Sequence, residues 1–265
     1  MSLFRPRIIP VVLIDGSGQA IKTINFKRRI YLGDSVNIIN LFSCFQVDEL
    51  ILLDIDATRQ KRLISLDILS DIADEGTMPF AVGGGIRNID DIYKILSLGA
   101  EKVVLSDIVF TKPKFLKEAS NRFGESTISV CINIKKTLFN GYKVYLPSSK
   151  TVIDLSILDA VKFCEESGAG EIIIQSVNED GVMNGYDKRI LAEISSKSTV
   201  PIVALGGAGS IQHMVETFSN THVSAFASGS TFVFGDKKNR GVIINYPEIN
   251  YLEEMFVGKR KQVIV

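Results

Sequence analysis

The sequence predicts an α/β fold, a (β/α)8 barrel of the TIM type with an internal two-fold half-barrel repeat. Three observations lead there. Short apolar runs alternate with helix-length segments eight times along 265 residues, and such a barrel takes about 250. The runs are apolar throughout rather than alternating, as in parallel strands covered on both faces. The chain also repeats itself: Pro-Phe-Ala-Val-Gly-Gly-Gly-Ile (79–86) returns as Pro-Ile-Val-Ala-Leu-Gly-Gly-Ala-Gly (201–209). Pro201 stands 122 positions after Pro79, and the same offset relates Glu49 to Glu171, Gly84 to Gly206, Gly85 to Gly207 and Ser106 to Ser228.

The expected strands cover 8–13, 49–55, 80–82, 102–105, 126–134, 171–176, 202–205 and 225–227. Helices are expected near 34–46, 65–75, 89–98, 113–123, 156–167, 187–196, 210–219 and 247–256. Asn88 and Ser210 suit N-caps, and Gly99, Gly124 and Gly168 suit C-terminal stops. Strict alternation of strand and helix implies parallel strands joined by right-handed crossovers. Residues 1–265 read as a single domain, with halves about 1–124 and 125–265 and no Pro/Gly/Ser linker between them. Two excursions break the pattern. Residues 16–30 read as a long polar loop after the first strand, placed to act as a lid. Residues 135–152 read as a hairpin turning at Asn140-Gly141.

Bulk composition excludes several functions. Thirty basic and thirty acidic residues give a formal net charge of +0, so nothing draws the chain as a whole to nucleic acid or an anionic membrane. Lys27-Arg28-Arg29 and Lys259-Arg260-Lys261 are short runs that read as solvated faces. No apolar run approaches the ~20 residues of a membrane span. The first residues, Met-Ser-Leu-Phe-Arg-Pro-Arg, lead straight into a strand and do not read as a signal peptide, so a cytoplasmic protein is expected. Cys44, Cys131 and Cys164 are few and scattered, as thiols in a reducing compartment are, and His213 and His222 are too few for a histidine-rich metal centre. No cofactor or metal is expected.

Chemistry in such a barrel sits at the C-terminal ends of the strands. Gly84 and Gly85 follow the third strand, and Gly206 and Gly207 the seventh. Glycines let backbone N–H groups close on a phosphate, and the helix that follows adds partial positive charge. Ser106 and Ser228 follow the fourth and eighth strands, each placed to add a hydroxyl. One Gly-Gly pair is weak evidence, but two at matched offsets are much stronger. The second site, with Gly181, Gly206, Gly207, Ser228 and Gly229, carries no negative charge, whereas Asp107 follows Ser106 in the first.

These stretches, with Arg-Ile-Ile (7–9), Val-Asp-Glu-Leu (47–50), Leu-Leu-Asp-Ile (52–55), Gly-Ala-Glu-Lys-Val (99–103), Gly-Ala-Gly-Glu-Ile (168–172) and the Glu-Asp-Gly and Asn-Gly-Tyr-Asp segments within 179–187, resemble the cyclase subunit of imidazole glycerol phosphate synthase. The resemblance runs from about Arg7 to Phe234. It implies a glutaminase subunit docked on the N-terminal face, ammonia passing through the barrel, and a substrate with a phosphate at each end spanning two phosphate sites. It implies a ring of four charged residues at the ammonia inlet, here Arg7, Glu49, Lys102 and Glu171, and a lysine in the first loop, here Lys22. Taken without the resemblance, the four charges equally describe a structural ion-pair ring that seals the barrel end.

The resemblance also implies two aspartates as general acid and base, at the ends of the first and fifth strands. Their positions hold Leu13 and Asn133. Leucine exchanges no proton and asparagine is no carboxylate base, and each lost acid–base group costs roughly 10²–10⁴-fold. Asp15 and Asp180 are the carboxylates near enough to be considered as substitutes. The inlet is thus retained while the cyclising pair is not. Related barrels paired with a glutaminase are associated with bacterial surface-polysaccharide gene sets, where they supply ammonia to a third protein, a sugar amidotransferase. The resemblance therefore implies such an ammonia-conducting paralogue. The alternatives are an authentic cyclase of histidine biosynthesis and a non-catalytic barrel that activates a glutaminase.

Overall fold

The computed structural model describes residues 5–75, 78–137, 141–238 and 240–259. Strand β1 (Arg7–Ile14) leads into the antiparallel pair β2 (Gln19–Ile24) and β3 (Arg28–Asp34), then helix α1 (Ser35–Cys44). Next come β4 (Leu50–Asp54), α2 (Leu66–Glu75), β5 (Phe80–Gly83), α3 (Ile89–Ser97), β6 (Lys102–Leu105), the short α4 (Asp107–Thr111) and α5 (Pro113–Phe123). Strand β7 (Ile128–Thr137) continues into β8 (Gly141–Leu146) and β9 (Thr151–Ile153) before α6 (Ile157–Glu166). The chain closes with β10 (Glu171–Ser176), α7 (Lys188–Ser195), β11 (Ile202–Leu205), α8 (Ile211–Phe218), β12 (Ala225–Ser228) and α9 (Ile249–Phe256).

Strands β1, β4, β5, β6, β7, β10, β11 and β12 pair in parallel in that order, and β12 pairs back to β1. The eight-stranded barrel is closed. Side-chain parity divides its apolar residues into two clusters. Ile8, Val12 and Ile14 of β1 pack outward under the helices, while Ile9, Val11 and Leu13 fill the interior with Ile51, Ala81, Val104, Cys131, Ile173, Val203 and Ala225. Because successive strand residues face opposite sides, Ser129, Cys131 and Asn133 of β7 share the inner face, as do Glu171, Ile173 and Gln175 of β10.

The expected caps form. Asn88 accepts a hydrogen bond from the Asp91 N–H at 2.8 Å, and Ser210 from the His213 N–H at 3.4 Å. Gly99, Gly124 and Gly168 stand at positive φ where α3, α5 and α6 stop.

One expectation is corrected and another is met. Residues 16–30 are not a long loop: most of them form β2 and the start of β3, with Ala20 and Ile21 buried and Leu13 paired to Ile21. The connection turns through Asn25 and Phe26, both at positive φ, without a glycine to advertise it. The excursion after the fifth barrel strand does form an antiparallel pair, with Thr137 opposite Gly141, and a third strand joins it. Its expected turn residue Asn140 lies outside the described residues.

The duplication survives as geometry. Gly84 packs on Asp54, and Gly206 packs on Ser176, which stands at the 122-residue offset from Asp54. Gly85 is the most constrained of these glycines: its φ is +71°, and a Cβ would lie 1.8 Å from the Arg62 carbonyl oxygen. Gly85→Ala is expected to destabilise the fold by more than ~1 kcal/mol, read from the midpoint of a urea transition.

Candidate functional site

At the N-terminal end of the barrel the four predicted charges meet. The Arg7 guanidinium bridges Glu49 and Glu171, carboxylates from opposite halves of the duplicated chain. Lys102 Nζ lies 3.0 Å from Glu49 and 3.8 Å from Glu171. Ser129 adds a hydroxyl donated to Glu171 at 3.1 Å. Two positive and two negative groups are thus drawn together with both carboxylates buried. Mutual pairing is what makes such burial tolerable, because an unpaired buried charge is strongly destabilising. Sequence reasoning found the four charged residues and missed Ser129, which only strand parity places beside them.

At the C-terminal end the strands open into a cavity of about 400 Å³, the size of a small-ligand site. Leu13 and Asn133, the residues standing where the resemblance expects aspartates, both line it. Both are buried. Asn133 donates from Nδ2 to Ser106 Oγ at 2.9 Å. Leu13 packs among the interior apolar residues. Cys131 lies just below, and burial pushes its thiol up to about 12.

Asp15 does not line this cavity. Its carboxylate accepts hydrogen bonds from the Ser17 N–H, the Ser17 hydroxyl and the Gln19 N–H at 2.8, 2.7 and 3.1 Å. All three go to Oδ1, which closes the turn into β2. Asp180 is buried beside the mouth, accepting from Thr23 Oγ1 at 2.5 Å. Burial raises its pKa above the ordinary carboxylate value, with Lys22 opposing.

The two glycine cradles are differently furnished. Lys22, buried on β2, reaches into the second: a Cβ on Gly229 would lie 1.8 Å from its Nζ. Gly181, Gly206, Gly207 and Ser228 line the same small pocket, and so does the Asp180 carboxylate, so the expectation of a site without negative charge is corrected. Burial pushes the Lys22 pKa below its ordinary value, and the Asp180 carboxylate counters this. The first cradle brings Gly84, Gly85 and Ser106 to the wall of the large cavity, with Asp107 beside them.

Sequence reasoning overlooked the acid–arginine clamps on that wall. Asp54 pairs with Arg62 at 2.6 Å. Asp56 pairs with Arg29 at 2.7 Å and Arg59 at 2.6 Å. Asp54 was visible in the Leu-Leu-Asp-Ile motif, but nothing in spacing tied it to an arginine eight residues on. Among the described residues no group of three or more His, Cys, Asp or Glu is placed to hold a metal ion. No described helix is long and apolar enough to cross a membrane.

Closure, duplication and a walled mouth define a (β/α)8 barrel with a cavity of small-ligand size at the C-terminal rim and a charged ring at the other end. Residues 7–238 match the family model described as "Histidine biosynthesis protein". A Pseudomonas aeruginosa protein provisionally named as imidazole glycerol phosphate synthase subunit hisF2 is 38% identical, over 95% of this chain and 99% of its own length. The provisionally named hisF3 subunit of Vibrio vulnificus is 36% identical over 92% of this chain and 94% of its own. Imidazole glycerol phosphate synthase subunit HisF of Lactococcus lactis is 37% identical over 87% and 89%. The chain belongs to this family, among its HisF-type synthase subunits.

The Asp56 clamp yields a pH test. The Arg29 hydrogen bond, working against burial, holds the Asp56 carboxyl below its ordinary 3.8. A carboxylate depressed in the folded state contributes stability that is fully present above the unfolded value and lost as pH falls through the folded one. Both arginines are partly solvated, so the pairing is worth about 1 kcal/mol. Asp56→Asn is expected to lower stability by that amount at pH 7, and the difference from wild type should close below pH 3.8 in urea titrations.

Proposed function

We propose that this barrel receives ammonia from a glutaminase partner at its N-terminal face but does not close an imidazole ring. The observation that carries the reading is the pair Leu13 and Asn133, buried in the cavity wall where an acid and a base are needed. Neither exchanges a proton at neutral pH. The Arg7–Glu49–Lys102–Glu171 ring is the inlet, and its retention supports ammonia handling as the surviving task. The ammonia serves amidation of a nucleotide sugar by a third protein, in surface-polysaccharide assembly. The numbered suffixes of the hisF2 and hisF3 relatives support a copy with a separate task. Gly206, Gly207, Ser228 and Gly229 with Lys22 form the better preserved phosphate site.

The rival reading is an authentic histidine-pathway cyclase, favoured by the 37% identity to the Lactococcus lactis HisF. It requires another carboxylate to replace the lost pair. The geometry of Asp15 counts against it, since that carboxylate is engaged in its own turn.

Assays of cyclisation and of glutaminase coupling test the proposal. The purified chain, given the ribulosyl nucleotide substrate of the family and ammonium, is expected to form no imidazole product, and its gene should fail to rescue a histidine auxotroph lacking the cyclase. Rescue would end the reading. Asn133→Asp combined with Leu13→Asp restores both proton-transfer groups and is expected to raise any residual turnover by roughly 10²-fold or more. Mixing the chain with a HisH-type glutaminase is expected to accelerate glutamine hydrolysis, and Arg7→Ala should weaken that coupling.

A further inference from the structure

The two halves end in matched positions whose charges have diverged. The counterpart of Asp107, 122 residues on, is Gly229. At Gly229 the absent side chain leaves room for the Lys22 ammonium. The second cradle therefore combines glycine backbone with the Lys22 cation, which offsets the Asp180 carboxylate lining the same pocket. The first keeps Gly84, Gly85 and Ser106 and presents the Asp107 carboxylate.

That carboxylate is held in place. Asp107 Oδ2 accepts from the Ser148 N–H at 2.8 Å, on the connection between β8 and β9, and its Oδ1 lies 3.5 Å from Ser106 Oγ. Ser106 in turn accepts from Asn133. All four residues line the 400 Å³ cavity. The other carboxylates on this wall, Asp54 and Asp56, are neutralised by Arg62, Arg29 and Arg59. The groups acting on Asp107 are burial, which raises its pKa, then Ser148 and Ser106, with no basic group among them; Lys27 and Lys150 line the same cavity.

We propose that the mouth takes a ligand phosphorylated at one end only, with its anion against Lys22 and the second-half glycines and a hydroxyl or amine at its other end donating to Asp107. This rests on the reading of the second cradle as a phosphate site. A second phosphate beside Asp107 meets like-charge repulsion. A hydroxyl or ammonium donor gains a charge-assisted hydrogen bond at the same place. Asp107 is thus a specificity determinant that separates sugar monophosphates from bisphosphates, independently of the missing acid–base pair.

Calorimetric titration of the full chain with fructose 6-phosphate and fructose 1,6-bisphosphate tests this. The wild type is expected to bind the monophosphate at one per chain and the bisphosphate no more tightly. Asp107→Gly, which copies position 229, and Asp107→Asn, which keeps the shape without the charge, should each shift the affinity ratio toward the bisphosphate by roughly tenfold or more. Lys22→Ala should abolish binding of both sugars. The proposal is overturned if the wild type prefers the bisphosphate, if neither Asp107 variant moves the ratio, or if neither sugar binds at millimolar concentration. Cyclase turnover by the wild type would sink the functional reading above while leaving this ratio to be judged separately.

Discussion

Arg7 fixes which way the first strand faces. Its guanidinium is clamped between Glu49 and Glu171, so its side chain must enter the barrel end. Side-chain direction in a strand has a period of two, and a one-residue slip would turn every residue over. Residues 9, 11 and 13 are therefore committed to the interior, and they are found there. The charged ring at one end and the leucine at the opposite mouth are two consequences of a single register. A carboxylate at an even-numbered position of β1 would point into the helical layer, and Asp15, although of the right parity, falls beyond the strand in a turn that consumes it.

The duplicated halves have aged unequally. At the N-terminal end the repeat is kept where charge balance depends on it: Glu49 and Glu171 share Arg7 and Lys102, and losing either partner would strand a charge in a dry place. At the mouth, where water reaches the walls, divergence is cheaper. Asp54 faces Ser176 across the offset, and Asp107 faces Gly229. The first half carries acids and the arginines that clamp two of them. The second carries glycines and receives Lys22 from the β2 hairpin. A pseudo-symmetric scaffold thus carries an asymmetric site.

What the sequence disclosed follows from what sequence encodes locally. The buried parallel strands were legible because they are apolar on both faces. The glycine cradles were legible because they recur at a fixed offset, and the ring through the resemblance, only its Glu49 and Glu171 being repeated. The β2–β3 pair was not, because its turn rests on left-handed Asn25 and Phe26 rather than on a glycine. Ser129 and Ser148 were invisible for a different reason. Their partners, Glu171 and Asp107, are 42 and 41 residues away, and only folding brings them together. The arginine clamps of Asp54 and Asp56 are likewise products of folding, with no signature in spacing.

The most direct test of the central claim follows the nitrogen. Glutamine labelled with ¹⁵N in its side-chain amide is supplied to the chain, its glutaminase and the ribulosyl nucleotide, and the label is traced by NMR. The account predicts that all of it emerges as free ammonium, with none in an imidazole ring. Label inside the ring would contradict it, because a barrel with Leu13 and Asn133 at its mouth would then be doing the proton transfers it is held to lack.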